Sequence, residues 1–205
     1  MQPLCNARIE TLRLSEHLQA FYPQIVDDFK LICSAPIRQQ ASIGGNLVNA
    51  SPIGDLSVFF LALNAELTLN SPSKKRKISL RNFFKSYKQV DIQIDEWLDE
   101  IHFQCPEALR ISFEKVCKRT HLDIASVNSA MSLVLHENQF KQIHIAVGGV
   151  AAIPLYLHKT SAFLRDKKIS LSLLQQALDL AQTEIYPLSI IHYPTFVVVL
   201  IISVY

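Results

Sequence analysis

The stretch Ile37–Leu56, with the sequence IRQQASIGGNLVNASPIGDL, contains more structural information than any other part of the chain. It places the pair Gly44-Gly45 among short polar side chains, and a Ser-Pro turn and an aspartate follow before an apolar run begins. Glycine lacks a Cβ, so backbone N–H groups at this pair can approach a ligand closely or adopt positive φ. Short polar side chains around such a loop can hydrogen-bond a pyrophosphate or a sugar, whereas a Gly-Gly pair alone usually marks a turn. The stretch therefore indicates a candidate binding loop.

The composition predicts a globular protein with a packed core. The chain has 205 residues, of which 49% are hydrophobic and 19% are charged, which suits one large domain or two small ones. The net charge of +2 gives no electrostatic reason to expect nucleic-acid binding. The cysteines Cys5, Cys33, Cys105 and Cys117 form no C-x-x-C pair, so we expect reduced thiols and no iron–sulfur ligands in this sequence.

The two ends of the sequence bear on its location. Charged residues interrupt the first twenty positions and break any apolar signal-peptide region. The apolar run Phe196–Tyr205 is ten residues long, whereas a membrane-spanning helix needs about 20. We therefore expect a soluble cytoplasmic protein that does not enter a membrane.

Hydrophobic periodicity predicts elements along the whole chain. We expect a strand at Arg8–Leu14, a helix that starts after an N-cap at Ser15 and runs to Phe29, and a buried helix at Leu56–Leu63. The basic run SPSKKRK at Ser71–Lys77 is either a solvated hairpin tip or a targeting or phosphate-binding patch. In the C-terminal half, strands come first and helices follow, which predicts an α+β arrangement. These C-terminal elements are strands at Leu109–Val116, Ala125–Leu135 and Gln142–Val147, then helices at Thr160–Leu164 and Leu171–Glu184.

Five ordered blocks of sequence share a resemblance to one family. The block ASIGGNLVNASPIGDL resembles the second FAD-contacting segment of the flavin domain of the xanthine dehydrogenases, which are molybdenum hydroxylase flavoproteins. The later blocks resemble successive parts of the same flavin domain and of its C-terminal subdomain. They are RNFFKSYK at Arg81–Lys88, DEWLDEIHFQCP at Asp95–Pro106, FEKVCKRTHLDIASVNSAM at Phe113–Met131 and VGGVAAIPLYLHKTSAFLRDK at Val147–Lys167.

The resemblance implies an α+β fold with two domains and a tail. Residues 1–106 would be the second subdomain of a PCMH-type FAD-binding domain, and 107–189 a CO-dehydrogenase-flavoprotein-like C-terminal α+β subdomain. In the family a first flavin subdomain, with its own Gly-rich loop, precedes these blocks, so we expect this sequence to hold an incomplete FAD site. Residues 190–205 depart from the family pattern, and we expect them to be an aberrant apolar tail.

The resemblance also implies the residues that contact FAD. The group expected at the pyrophosphate, ribityl and sugar parts comprises Ala41, Ser42, Gly44, Gly45, Asn46, Asn49, Gly54 and Asp55. Trp97 and Leu98 match the place where the family packs apolar side chains near the isoalloxazine ring, and an indole stacks well on a flat ring. Lys115 matches a lysine close to the flavin, where a cation favours the reduced, anionic form.

Several of these residues have ordinary structural alternatives. Asp55 would equally serve as the N-cap of the helix that follows it. Trp97 would otherwise be a core residue, and Lys115 an exposed strand lysine. Gly148-Gly149 is expected to form a tight turn rather than a cofactor loop.

The resemblance implies a function in electron transfer. FAD would take electrons from [2Fe–2S] centres and pass them as hydride to NAD, in an enzyme of purine catabolism whose substrate reacts at molybdenum. The partners would be a molybdopterin-binding large subunit and the [2Fe–2S] domains. Because the flavin carries the chemistry, we expect no catalytic acid–base residue and no metal ligand in this sequence, and no turnover by the isolated chain. The alternatives are a related carbon monoxide or aldehyde dehydrogenase flavoprotein, and an inactive remnant or docking fragment.

Overall fold

The computed structural model describes residues 5–119 and 122–185, in which short helices and antiparallel strands are combined. The helices are α1 Ile9–Arg13, α2 Glu16–Gln19, α3 Ile25–Asp28, α4 Ala35–Gln40, α5 Ile43–Val48, α6 Asp55–Ala62, α7 His158–Leu164 and α8 Leu171–Glu184. The strands are β1 Glu66–Asn70, β2 Lys75–Ser79, β3 Phe84–Ser86, β4 Gln89–Val90, β5 Trp97–His102, β6 Leu109–Val116, β7 Val127–His136, β8 Gln139–Gly148 and β9 Leu155–Tyr156. This architecture confirms the expected α+β class. The expected tail at 190–205 lies outside the described residues.

The N-terminal segment differs from its prediction. The expected strand at Arg8–Leu14 is helix α1, and the expected long helix over 16–29 is divided into α2 and α3. Pro23 lies between these two helices, and a proline both removes a backbone donor and disfavours a helical conformation of the residue before it. The predicted cap is confirmed, because Ser15 Oγ accepts a hydrogen bond from the Leu18 N–H.

The N-terminal sheet has the antiparallel order β2-β1-β5. A tight hairpin joins β1 to β2, in which Asn70 pairs with Lys75, so the basic run SPSKKRK contains the predicted hairpin tip. Three of its basic side chains form ion pairs with acidic neighbours: Lys75, Arg76 and Lys77. Arg76 is 2.7 Å from Glu96 and 2.9 Å from Asp91. The charged side chains of β2 also protect an edge strand from pairing with other chains.

The C-terminal sheet is an antiparallel meander in the order β6-β7-β8-β9. Helix α8 has the predicted bounds, and its buried residues belong to one apolar cluster with the sheet and with α7. The turn predicted at Gly148-Gly149 is confirmed, because Gly149 has a φ of 83°, a region that favours glycine. The amide of Gly149 donates a 3.0 Å hydrogen bond to the Pro52 carbonyl, which ties this turn to the segment that precedes α6.

Helix α6 is the common core element of both halves. Every residue from 56 to 62 is buried, and all of them except Ser57 are apolar, as expected for a helix with no solvent-facing surface. Phe59 contacts Phe29 edge to face at 5.0 Å between ring centroids, on the N-terminal side of the helix. The Ser132 hydroxyl of β7 donates to the Ala62 carbonyl, on the C-terminal side. The helix therefore packs against the N-terminal helical segment on one side and against the C-terminal sheet on the other.

A half-buried histidine also lies at the junction between the two halves. His144 Nδ1 on β8 is 3.0 Å from Arg81 Nη2 and 2.8 Å from the Tyr156 hydroxyl. Burial, with Arg81 and Arg165 as further causes, lowers the pKa of His144 to about 4. The neutral ring is therefore the native form at neutral pH.

This histidine predicts a loss of stability in mild acid. The pKa of His144 is about 4 in the folded chain and near 6.5 when unfolded, so the unfolded chain binds the proton first and stability falls between pH 6.5 and 4. We expect this residue to account for a loss of about 2 kcal/mol in the free energy of unfolding across that range. Urea denaturation at several pH values would show a shallower pH dependence for His144→Gln. The variant His136→Gln, which changes an exposed histidine, should follow the unmodified chain, and equal slopes for all three would contradict the prediction.

Candidate functional site

The Gly-Gly pair lies in the first turn of α5 and not in a loop. Ser42 is the N-cap, and its Oγ accepts a 3.1 Å hydrogen bond from the Gly45 N–H. The Gly44 N–H donates to the Cys5 carbonyl at 2.8 Å. A Cβ on Gly44 would lie 2.8 Å from that same carbonyl oxygen, so glycine is needed here because another segment crosses closely. Neither glycine has positive φ, which leaves close approach as the reason for Gly44.

Gly45 and the residues around it form the accessible part of this segment. Gly45 is exposed, and the only atom near a Cβ built on it is Ser42 Oγ at 2.8 Å. Asn46 Oδ1 is buried and has no hydrogen-bond partner. A buried acceptor without a partner is costly, so this oxygen is available to a ligand that supplies a donor. Ala41 is half-buried at the end of α4, and its carbonyl accepts from the Ile9 N–H.

Asn49 is exposed at the C-terminal end of α5. Its backbone and side-chain oxygens both accept hydrogen bonds from Lys88 Nζ, at 2.9 and 3.0 Å. Lys88 lies in the turn between β3 and β4, so this contact attaches the turn to the helix that carries the Gly-Gly pair. The side-chain nitrogen of Asn49, Nδ2, has no protein partner among the described residues.

Gly54 and Asp55 begin helix α6. Gly54 is the N-cap and Asp55 is the first helical residue, so the expected N-cap role of Asp55 is wrong by one position. A carboxylate in the first turn still stabilises a helix through its dipole. A Cβ on Gly54 would lie 2.9 Å from Ser57 Oγ and 3.1 Å from the Ser51 carbonyl, so this cap position is also closely packed.

Lys115 is a buried ion-pair partner of Asp55. Lys115 Nζ is 2.9 Å from Asp55 Oδ2, and the two side chains are only 3% and 12% exposed. The same ammonium donates to the Leu31 carbonyl at 2.9 Å. Asn128 Nδ2 donates to Asp55 Oδ1 at 2.6 Å and to the Ile53 carbonyl at 3.1 Å. The alternative of an exposed strand lysine is therefore wrong, and the pair connects α6 to β6 and β7.

The two apolar site residues lie at the start of β5. Trp97 is 47% exposed, so the alternative of an ordinary core tryptophan is wrong. Leu98 is buried and belongs to the same apolar cluster as Ile43 and Leu47 of α5. Strand β5 contacts α5 directly, so the strand that begins with Trp97 packs against the Gly-Gly helix.

Two further residues shape this region without a clear sequence signal. Asn128 on β7 donates a hydrogen bond to the Asp55 carboxylate. Arg38 is 7% exposed, and its guanidinium donates to the Cys33 carbonyl at 2.7 Å and to Glu10 Oε2 at 2.7 Å. Arg38 and Lys115 thus anchor the same loop, Leu31–Cys33, from two sides. No local pattern indicated Arg38, because half of the residues in its helix, APIRQQ, are polar.

Two kinds of feature are absent from residues 5–119 and 122–185. Within them no three His, Cys, Asp or Glu side chains come together in a way that could hold a metal ion. No helix in the same residues is long and apolar enough to span a membrane.

Comparisons with known proteins identify two domain families. Residues 5–104 match the model of the FAD binding domain in molybdopterin dehydrogenase, and residues 112–193 match the CO dehydrogenase flavoprotein C-terminal domain. Over 197 residues the chain is 33% identical to xanthine dehydrogenase 1 of Arabidopsis thaliana, an alignment that covers 85% of this chain and 14% of that relative.

Two further comparisons connect the chain to related enzymes. It is 28% identical over 151 residues to the glyceraldehyde dehydrogenase medium chain of Sulfolobus acidocaldarius, covering 74% of this chain and 53% of that relative. A solved structure of carbon monoxide dehydrogenase from Hydrogenophaga pseudoflava has the same fold, with a TM-score of 0.84 at 24% identity. That superposition covers 90% of this chain and 64% of the other.

Proposed function

The chain belongs to the flavoproteins of the molybdenum hydroxylases, and we propose that its residues 41–55, 97–98 and 115 form part of an FAD site for electron transfer. The observation that carries the proposal is the FAD-binding family match over residues 5–104, which contains the Gly-Gly helix and the exposed Trp97. When bound, FAD would accept electrons from [2Fe–2S] centres and deliver them as hydride to NAD. The residues of this chain would bind and orient it.

The side chains near Gly45 fit a bound flavin better than the backbone does. The N–H groups of Gly44, Gly45 and Asn46 already donate to protein acceptors. A sugar–phosphate chain would therefore be held by the Ser42 hydroxyl and by the amides of Asn46 and Asn49. The unpartnered oxygen of Asn46 supports this role, because a ribityl or ribose hydroxyl can donate to it. The exposed Gly45 leaves room for the ligand.

Trp97 would cover an apolar part of the flavin. Its exposure leaves an aromatic face free for stacking, while the buried neighbour Leu98 anchors the strand in the core. Offset stacking between aromatic rings stabilises a complex by about 0.5–1.5 kcal/mol beyond the burial of area. This residue would therefore contribute to affinity without being needed for the fold.

Asp55 and Lys115 would act mainly by positioning. The two charges neutralise each other, so the field of Lys115 on a bound flavin is weaker than that of a free ammonium. Both groups keep some hydrogen-bonding capacity, since a carboxylate accepts up to about four hydrogen bonds and an ammonium donates three. In the proposal they hold the start of α6 and strand β6 at the edge of the flavin.

The proposed partners supply the rest of the reaction. The chain spans 14% of the length of the Arabidopsis relative, so turnover would need a molybdopterin-binding large subunit and [2Fe–2S] domains. The Sulfolobus relative is named as a medium chain, which supports an arrangement in separate subunits. We propose domain bounds of 1–106 and 107–189, a place in purine catabolism in the cytoplasm, and no turnover by the chain alone.

FAD titration tests the proposed site. We expect the purified chain to quench flavin fluorescence with a Kd in the micromolar range. We expect Trp97→Ala to weaken binding about tenfold, because the loss of ring stacking, about 1.4 kcal/mol, corresponds to a tenfold change in Kd. The matched control is Tyr87→Ala, because Tyr87 is an aromatic residue that is 61% exposed and lies outside the proposed site. Equal affinities for both variants would contradict the role of Trp97, and the absence of quenching would contradict a flavin site in this chain.

A second candidate within the same family is a carbon monoxide or aldehyde hydroxylase flavoprotein. The glyceraldehyde dehydrogenase medium chain and the carbon monoxide dehydrogenase fold favour it. The assembled enzyme would separate the two: oxidation of xanthine supports the first candidate, whereas oxidation of an aldehyde or carbon monoxide supports the second. An assembly with none of these activities would support a remnant or docking role.

A further inference from the structure

A polar cavity lies between the two sheets, away from the proposed flavin site. Its volume is about 620 Å³, and its walls include His102 at the end of β5 and His144 on β8. Trp97 begins the same strand that His102 ends, and at about 3.3 Å per residue the two lie roughly 16 Å apart. None of the proposed flavin-contacting residues lines this cavity.

The cavity has an excess of positive charge. Lys141 and Arg165 both line it, and within the described residues Arg165 has neither an ion pair nor a hydrogen bond. The acidic group in the wall is Glu66, whose carboxylate already forms a 2.8 Å ion pair with Lys77. Cations that share a cavity without acidic partners repel one another, so a bound anion would lower their energy.

Arg81 extends this positive region behind the cavity wall. Its guanidinium lies 3.6 Å above the ring of Tyr156, an arrangement of the cation–π type. Its Nε is buried and has no hydrogen-bond partner. Burial lowers the pKa of Arg81, and Arg165 is a further cause, so the two guanidinium groups are close enough to interact. Within the described residues Arg81 likewise has no carboxylate partner.

The hydrogen bonds of His144 determine which of its ring nitrogens carries the proton. A guanidinium can only donate, so the 3.0 Å contact between Arg81 Nη2 and His144 Nδ1 makes Nδ1 the acceptor. We infer that the neutral ring carries its proton on Nε2, the tautomer that this hydrogen bond requires. The cavity wall thus offers an imidazole N–H, an ammonium and a guanidinium, and the amides of Gln104 and Gln142 add further donors.

We propose that this cavity binds the phosphate group of a small ligand between Arg165, Lys141 and His144. Guanidinium, ammonium and imidazole N–H groups are donors that match phosphate oxygens. The volume exceeds that of a phosphate ion and falls in the range of small-molecule pockets, about 300–1,000 Å³. Free phosphate and a phosphate monoester share this chemistry, and the experiment distinguishes them.

Binding of inorganic phosphate and of glycerol 3-phosphate, a phosphate monoester that is not part of FAD, to the full chain tests the proposal. Each is titrated at pH 7.5 and constant ionic strength, and the line width of the phosphorus NMR signal reports binding. We expect Arg165→Gln to weaken binding about tenfold or more, because it removes a charge-assisted contact. Arg165 is exposed, so this substitution should leave the fold intact, as the melting temperature will show.

The matched control is Arg119→Gln, which removes an exposed arginine just beyond the far end of β6. It should bind phosphate as the unmodified chain does. Tighter binding of the monoester would identify an organic phosphate as the ligand, and equal binding would identify phosphate itself. The proposal is overturned if neither compound binds, or if Arg165→Gln and Arg119→Gln bind equally. A failure to bind FAD would leave these outcomes unaffected.

Discussion

Replacing Lys115 with methionine is expected to lower the free energy of unfolding by about 3–5 kcal/mol. The substitution keeps most of the side-chain volume but leaves the Asp55 carboxylate buried without its cation, and it also removes the hydrogen bond to the Leu31 carbonyl. A buried charge that has lost its partner costs far more than the intact pair contributes. Urea denaturation followed by circular dichroism would measure the loss.

Two companion variants sharpen this experiment. Asp55→Asn in the Lys115→Met background should recover part of the stability, because the uncompensated negative charge is then removed. Lys30→Met removes an ion pair with Asp27 whose side chains are 52% and 80% exposed, and we expect it to cost less than about 1 kcal/mol. Similar losses in the free energy of unfolding for Lys30→Met and Lys115→Met would contradict the prediction that breaking the buried pair costs more than breaking an exposed one.

Replacing Gly148 with alanine is expected to cost about 3 kcal/mol or more. A Cβ at this position would overlap Asn128 Oδ1, and it would lie 2.9 Å from the Pro52 carbonyl and 3.0 Å from Val58 Cγ2. Overpacking a close-packed core typically costs about 1–3 kcal/mol, and here it also displaces the amide that holds Asp55. Gly148 lies at the junction of the two halves. The next residue, Gly149, donates a hydrogen bond to the Pro52 carbonyl, so the two backbones cannot separate without breaking this bond.

The control for this prediction is Gly45→Ala, whose Cβ would meet only the Ser42 hydroxyl. It should cost clearly less in urea denaturation than Gly148→Ala. Asn128→Ala combined with Gly148→Ala should show a loss smaller than the sum of the two single losses, because both remove the bond to Asp55. Strict additivity would contradict the proposed mechanism, and a Gly148→Ala chain as stable as Gly45→Ala would contradict the packing argument.

Local patterns predicted the regular elements well where the chain itself determines them. Helix α8 has the predicted bounds, and Ser15 caps α2 as expected. The Arg8–Leu14 segment was misassigned because a few apolar positions at mixed spacing fit both a strand and a short helix.

The site residues were harder to predict in their physical roles than in their positions. The glycines indicated a binding loop, yet position 44 requires glycine because the Cys5 carbonyl oxygen lies too close for a Cβ. Trp97 was assigned to a flavin-facing position by resemblance, and its exposure is compatible with that assignment. Its contact with flavin remains a proposal.

The amino-acid sequence by itself determined the family and the α+β class, and it singled out the segment Ile37–Leu56, because these depend on local order and motif. Only the tertiary structure decided what its charged and polar groups do. Asp55 meets Lys115 across 60 positions of sequence and Asn128 across 73, and Arg81 meets His144 across 63. Such contacts arise from how the N-terminal half packs against the C-terminal sheet, and buried charges must find partners wherever that packing brings them together. Local sequence patterns carry no signal for partners at that separation.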